Sequence, residues 1–392
     1  MKTMGMEPQQ VQIVSGADMI VCGAIEAGIL FYSGYPITPA SPIYTALISE
    51  LPRRGGIAIG APDEISALCY CVGASMRGVK AMTATSGPGF CLMTETIGYA
   101  LMTETPVVIV LAQRMGPSTG AATQNAQGDL LLAEYCVSGG YPIPIICPTT
   151  PFNAYEAAIR AVNLAETLRT PVILLTEKEL IMTWETIDLA RLPGLEILNR
   201  PLFNGEGPFL TYGFEQLGDP PGFAPVGGPF KVTITGSAHN KKGELLKDEP
   251  DVIAMLSHLE AKIRDHIPEI TWVRHDLQPG SETLVISYGV TDRAVRAAVQ
   301  AAREGGLAVS HLTIYSLFPI PETALRSALI GILRVIIPEE NLSGLYRSML
   351  MSYLTVEEVV GVNKVAGLIT PDEILSEILK NGRQQAVHIK GG

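Results

Sequence analysis

Residues 81–90 read AMTATSGPGF, and this stretch sets the fold. The apolar run Ala81 to Thr85 has the length and composition of a buried strand. It ends in Ser86-Gly87-Pro88-Gly89, and an apolar helical pattern follows from Phe90 to about Met102. The same rhythm extends both ways. Upstream, Ser15-Gly16-Ala17-Asp18 opens a helix reaching Ile29, and Phe31 and Tyr32 form a short strand. Ile43 to Ser49 is helical, Ile57 to Ile59 extended, and Asp63 caps a further helix. Downstream, Val107 to Ala112, Ile143 to Ile146 and Pro171 to Leu175 read as strands, with a helix over Pro151 to Leu168. Short apolar runs alternating with helices predict a mainly parallel sheet covered on both faces. Functional loops are then expected beyond the carboxyl ends of the strands.

Between about 190 and 250 the rhythm breaks into an irregular, Gly- and Pro-rich connection, after which Asp251 to Arg264 is helical. A second α/β unit starts near Glu282. Its strands are Leu284 to Tyr288, Ala308 to Ile314 and Val335 to Ile337. A helix capped by Thr291 or Asp292 covers Ala294 to Glu304, and others start at Pro321-Glu322 and near Leu342. The expected division is a first domain over 11–190, a connection with one helix over 191–265, a second domain over 266–380 and a tail over 381–392. The first ten residues are a polar lead-in.

A chain of 392 residues exceeds what one core usually fills. It is 47% apolar and 17% charged, which fits a packed α/β protein and excludes a disordered one. The net charge of −11, without a basic run, argues against nucleic acid. The apolar runs are too short to span a membrane and no signal peptide is visible, so a cytoplasmic location is expected. Six cysteines at 22, 69, 71, 91, 136 and 147 lack zinc or iron–sulfur spacing and read as free thiols. GxGxxG, Walker A and GxSxG are absent, and the first histidine is His239. Any chemistry in the first domain is therefore expected to come from a cofactor.

Several motifs together resemble one family. Tyr35-Pro36-Ile37-Thr38-Pro39-Ala40-Ser41, Asp63-Glu64-Ile65, the stretch Ala84 to Phe90, and Gln113-Arg114 with Gly116 to Gly120 look like motifs of the alpha subunit of 2-oxoacid:ferredoxin oxidoreductases. Gln127-Gly128-Asp129-Leu130, Thr235-Gly236 with His239-Asn240, and Pro338-Glu339 with Asn341 resemble later signatures of that family. The likeness covers nearly the whole chain and is greatest to the 2-oxoglutarate branch. It implies a thiamine diphosphate-binding fold of the pyrimidine type, followed by an α/β domain like the C-terminal domain of transketolase. It also implies oxidative decarboxylation of 2-oxoglutarate with coenzyme A to succinyl-CoA, CO2 and reduced ferredoxin. Pyruvate, branched-chain and aryl 2-oxoacids stay open as substrates. So do two different functions, a split non-redox thiamine-dependent decarboxylase or transketolase-like enzyme, and a non-enzymatic scaffold.

The resemblance shares thiamine diphosphate between this chain and a beta subunit, and assigns Mg2+ and 4Fe-4S clusters to that partner. Here Gly128-Asp129 is followed by Leu130, so no GDG motif for diphosphate-bound metal is present. The family also admits gamma and ferredoxin-like subunits. By likeness, Glu64 contacts N1′ of the aminopyrimidine, and Thr38 and Arg114 lie near the 2-oxoacid carboxylate. Pro36, Ile37, Gly87 and Pro88 line the cofactor, and Gly89 belongs to the same close-approach turn. Plainer roles stay open for each: a first-turn glutamate favoured by the helix dipole, a structural ion pair for Arg114, turn support for Thr38, and a strand-to-helix turn for the glycines. Asp129 can orient Arg114 or cap the next helix. His239, Glu339 and Asn341 are open between structural roles and subunit or coenzyme A contacts, and Cys69 and Cys71 between core and interface.

Overall fold

The computed structural model describes residues 11–247 and 250–389, the side chains of 381–389 excepted. The polar lead-in over residues 1–10 lies outside them. The large sheet has seven strands in the order Ser316–Phe318, Ile145–Ile146, Pro171–Glu177, Val107–Gln113, Ala81–Ser86, Phe31–Gly34 and Ile57–Gly60. All pairings are parallel except that of Ser316–Phe318. Every residue of Ala81–Ser86, Val107–Gln113 and Pro171–Glu177 is buried, which is why these strands read as unbroken apolar runs.

Alternation along the strands sorts the two faces. Val108, Val110 and Leu174 pack with helices Gly16–Glu26, Ser41–Arg53 and Pro151–Leu168. Ile109, Leu111, Ile173 and Leu175 pack with helices Glu64–Met76 and Gly87–Met102. The chain leaves Phe31–Gly34 for the edge strand Ile57–Gly60, then crosses back to Ala81–Ser86 on the other side. Loops at the carboxyl ends of Phe31–Gly34 and Ala81–Ser86 therefore diverge, which opens a crevice where α/β sheets bind ligands.

The second sheet has five strands in the order Glu358–Asn363, Arg334–Glu339, Thr283–Ser287, Val309–Ile314 and Val273–Asp276, the last antiparallel. Its first and last strands were not read from the sequence. One face shares a continuous core with the first sheet, through Leu284, Ile286, Leu312 and Val335. The other is covered by helices Thr291–Glu304 and Pro371–Ile389. That last helix runs to Ile389 through most of the expected tail, and residues 390–392 lie outside the described residues. The helix expected from Leu342 begins at Leu345, because the Asn341 side chain first accepts the Gly344 and Leu345 N–H groups.

From Leu192 to Lys247 the described chain forms no helix or strand beyond isolated bridges. Buried charge ties this region down. Arg200 meets both oxygens of Glu166, at 2.8 and 2.5 Å, and donates to the Ser75 carbonyl at 2.7 Å. Lys262 and His258 both reach the Glu104 carboxylate, at 2.6 and 2.9 Å.

The units meet at a buried polar joint. Glu177, which ends its strand, accepts from Gln127 Nε2 at 2.9 Å and from the Val290 N–H at 3.2 Å. Gln127 exchanges hydrogen bonds with the Glu340 backbone at 2.9 and 2.8 Å. Burial pushes the Glu177 carboxyl up to about 7, against the lowering effect of the Gln127 and Val290 donors. An unfolded glutamate titrates near ~4.3. The folded state thus holds this proton more tightly, and stability is lost as pH rises from the unfolded value through about 7. The denaturant midpoint should fall from about pH 5 to about pH 8, and Glu177→Gln should remove about 2 kcal/mol of that fall. Equal falls for wild type and variant would refute this.

Candidate active site

Four loops reach the crevice. The first follows Phe31–Gly34. Its prolines Pro36 and Pro39 stiffen the backbone around Thr38, and the Thr38–Pro39 bond is cis. The Ala61 N–H donates to the Gly34 carbonyl at 2.9 Å, so the loop after the edge strand leaves alongside it. Ile37 and Thr38 are half-buried and Pro36 is exposed.

The second loop delivers Glu64. Asp63 caps helix Glu64–Met76 by accepting the Ser66 N–H at 2.7 Å, as expected from the sequence. Glu64 is the first helical residue and only 6% exposed. Among the described residues its carboxylate has no hydrogen-bond or ion-pair partner.

The third element corrects the sequence reading. Within the expected turn Ser86-Gly87-Pro88-Gly89 the last three residues are already helical, because helix Gly87–Met102 starts at Gly87. Proline tolerates the first turn, where its missing N–H has no intrahelical partner to lose. A Cβ at Gly89 would fall 2.2 Å from Thr85 Oγ1 and 2.6 Å from Glu64 Oε1. One at Gly87 would fall 2.8 Å from Asp129 Oδ1. The space the glycines leave is thus filled by two carboxylates of this chain, both at a helix N-terminus that favours negative charge.

The fourth loop carries Arg114 directly after strand Val107–Gln113. Its Nη1 donates to the Thr38 carbonyl at 2.5 Å, so the sequence-predicted pair comes together. Arg114 is 6% exposed and its Nε is buried without a partner. It has no ion-pair partner among the described residues, which disfavours a structural salt bridge.

Asp129 precedes helix Leu130–Glu134 but makes no side-chain cap bond, which removes one of its two sequence readings. Its N–H donates to Gln113 Oε1 at 3.0 Å, while Oδ2 is buried and unpartnered. Burial pushes its carboxyl up to about 6, although Arg114 pulls it down.

The other sequence candidates make contacts elsewhere in the chain. The His239 ring lies tilted against Tyr212, with centroids 4.0 Å apart, and pairs through Nδ1 with the Ser237 carbonyl. Glu339 accepts from Tyr288 and from the Tyr346 and Arg347 N–H groups, and Asn341 Nδ2 donates to the Gln127 carbonyl. These contacts are made within the chain, and His239 Nε2 is buried without a partner. Cys71 is buried, and Cys69 is exposed, 3.6 Å from Thr96 Oγ1.

The crevice offers an unpaired carboxylate for a ligand N–H and an open guanidinium for an anion. These donors and acceptors fit an aminopyrimidine and a 2-oxoacid carboxylate. Among the described residues no cluster of three or more His, Cys, Asp or Glu side chains could hold a metal, and no helix is long and apolar enough to cross a membrane.

Comparison with known proteins gives a consistent picture. The family described as pyruvate flavodoxin/ferredoxin oxidoreductase, thiamine diphosphate-binding, matches residues 22–210. Pyruvate:ferredoxin oxidoreductase core domain II matches residues 281–373. The 2-oxoglutarate synthase subunit KorA of Methanocaldococcus jannaschii is 36% identical over 94% of this chain and 100% of its own length. That of Methanothermobacter thermautotrophicus is 36% identical over 94% and 98%. The solved 2-oxoglutarate:ferredoxin oxidoreductase of Magnetococcus marinus, with 2-oxoglutarate, coenzyme A and succinyl-CoA bound, superposes with a TM-score of 0.89 at 30% identity. It covers 96% of this chain and 66% of that one.

Gly89→Ala should push Glu64 off its position and lower 2-oxoacid turnover by about 100-fold, the scale of a 1 Å misplacement at a reacting group. Circular dichroism should show the helices intact. Wild-type turnover in this variant would refute the close-approach role.

Proposed function

The chain belongs to the 2-oxoacid:ferredoxin oxidoreductase family as an alpha subunit of the 2-oxoglutarate synthase kind, and from that premise we propose that it activates thiamine diphosphate for oxidative decarboxylation of 2-oxoglutarate. The products are succinyl-CoA, CO2 and reduced ferredoxin, with coenzyme A as the acyl acceptor. One observation carries the reading: Glu64 is a carboxylate only 6% exposed, at a ligand-binding crevice, with no partner in the described chain. Buried carboxylates require donors, so this one calls for a donor from a ligand.

In this reading Glu64 accepts from N1′ of the aminopyrimidine and holds the proton there. Thr38 and Arg114 bind and orient the 2-oxoacid carboxylate, Arg114 through its open donors. Pro36, Ile37, Gly87 and Pro88 form the cofactor wall. Thiamine diphosphate, when bound, supplies the carbanion chemistry that cleavage beside a carbonyl requires. The diphosphate, its Mg2+ and the 4Fe-4S clusters belong to a beta subunit, with gamma and ferredoxin-like subunits as further partners and ferredoxin as the acceptor. The same reading divides the chain into domains over 11–190 and 266–380, joined by 191–265. It also puts the protein in the cytoplasm, in keeping with six free cysteines.

Glu64→Gln preserves shape but cannot hold the proton. It should lower turnover of the assembled complex by about 100-fold or more without loss of the partner. Unchanged turnover would leave only a scaffold role. Substrate choice is checked separately: kcat/KM for 2-oxoglutarate should exceed that for pyruvate and 2-oxoisovalerate by about tenfold or more, the worth of one charge-assisted hydrogen bond to the distal carboxylate. No preference would overturn the substrate assignment.

A further inference from the structure

Four buried polar atoms in this part of the crevice have no partner: Ser86 Oγ, Gln113 Nε2, Arg114 Nε and Asp129 Oδ2. Buried polar atoms are ordinarily satisfied, so such a cluster marks a place where a ligand completes the bonding. Asp129 is fixed relative to Arg114, because its N–H is held by Gln113, the residue immediately before the arginine. Its carboxylate stands over Gly87, at the helix N-terminus that Glu64 reaches through Gly89.

We propose that Asp129 is a positioning residue of the carboxylate subsite, and that the 2-oxoacid anion binds there together with one proton taken up by Asp129. This rests on the reading of Arg114 as the carboxylate-binding residue. An anion arriving at Arg114 beside an ionised Asp129 would meet like charge, whereas a protonated Asp129 presents an O–H donor to the same anion. The titratable groups acting on Asp129 are Arg114 on the strand-end loop and Cys91 on helix Gly87–Met102, while Glu64, on helix Glu64–Met76, meets the same helix start at Gly89. Of these only Arg114 carries positive charge, and the arriving anion neutralises it. Burial already brings the free carboxyl to about 6. Anion binding raises it further, so affinity is highest at low pH and falls as pH rises above about 6.

In the assembled complex kcat/KM for the 2-oxoacid should fall above about pH 6.5 with a slope approaching tenfold per unit, since this parameter reports the free protein's titrating groups. Asp129→Asn keeps a neutral hydrogen-bonding side chain and should flatten that limb, matching or exceeding wild type near about pH 8. A variant that keeps the limb, or a wild type without one, overturns the proposal. Arg114→Gln separates the two readings: a raised KM at every pH supports the carboxylate site, and an unchanged KM overturns that site itself. Should Asp129→Asn not assemble, calorimetry on the unaltered complex decides. N-oxalylglycine, a non-cleavable dicarboxylate, is titrated near about pH 7 in two buffers of different ionisation enthalpy. Uptake close to one proton supports the proposal, and none overturns it.

Discussion

Room for carboxylates at the start of helix Gly87–Met102 is the constraint on which the crevice depends. Glu64 and Asp129 come from different loops, and each meets that helix at a glycine, Gly89 and Gly87 respectively. The helix end offsets negative charge, but only by about 0.3–2 kcal/mol. Taking a carboxylate out of water without a donor costs several kcal/mol. The dipole therefore makes the arrangement tolerable without completing it. A ligand that donates to Glu64 supplies the missing bond.

The second unit holds this crevice in place more directly than a tethered domain would. Strand Ser316–Phe318 leaves its own half of the chain and pairs with Ile145–Ile146 at the edge of the first sheet. One core runs under both sheets. At the joint, Gln127 is bonded to Glu177 on one side and to the Glu340 backbone on the other. Gln127 lies two residues before Asp129, so the segment that presents the second carboxylate is anchored by interdomain contacts. A change at the joint would therefore be felt at the crevice through a short, well-bonded stretch of chain.

Local chemistry was legible in the sequence, and long-range pairing was not. Buried strands announced themselves as apolar runs, Asp63 as a cap, and Glu64 as a first-turn acid. The helix start at Gly87 was missed because Gly-Pro-Gly reads equally well as a turn, and only the packing of Thr85 and Glu64 against Gly89, and of Asp129 against Gly87, shows why both glycines are needed. Strand Ser316–Phe318 was missed because its partner lies some 170 residues away, at Ile145–Ile146. Glu177 and Glu340 carry no local signal at all: a glutamate ending a strand looks exposed until the facing unit buries it. The two roles weighed for Asp129 differ by one hydrogen bond, which no sequence pattern records.

Arg114 and Arg200 show how burial and bonding separate function from support. They are almost equally buried, at 6% and 5% exposed. Arg200 is saturated, with two contacts to Glu166 and one to the Ser75 carbonyl, so its charge is neutralised inside the fold. Breaking such a pair costs about 3–5 kcal/mol, which suits a clamp between the irregular connection and the first domain. Arg114 holds one backbone carbonyl, keeps Nε unpartnered and has no ion pair in the described chain. A buried guanidinium left this way is unfavourable for the free protein and favourable only once an anion arrives. An open guanidinium of this kind suits the carboxylate role proposed for Arg114, and the saturation of Arg200 disqualifies Arg200 from such a role.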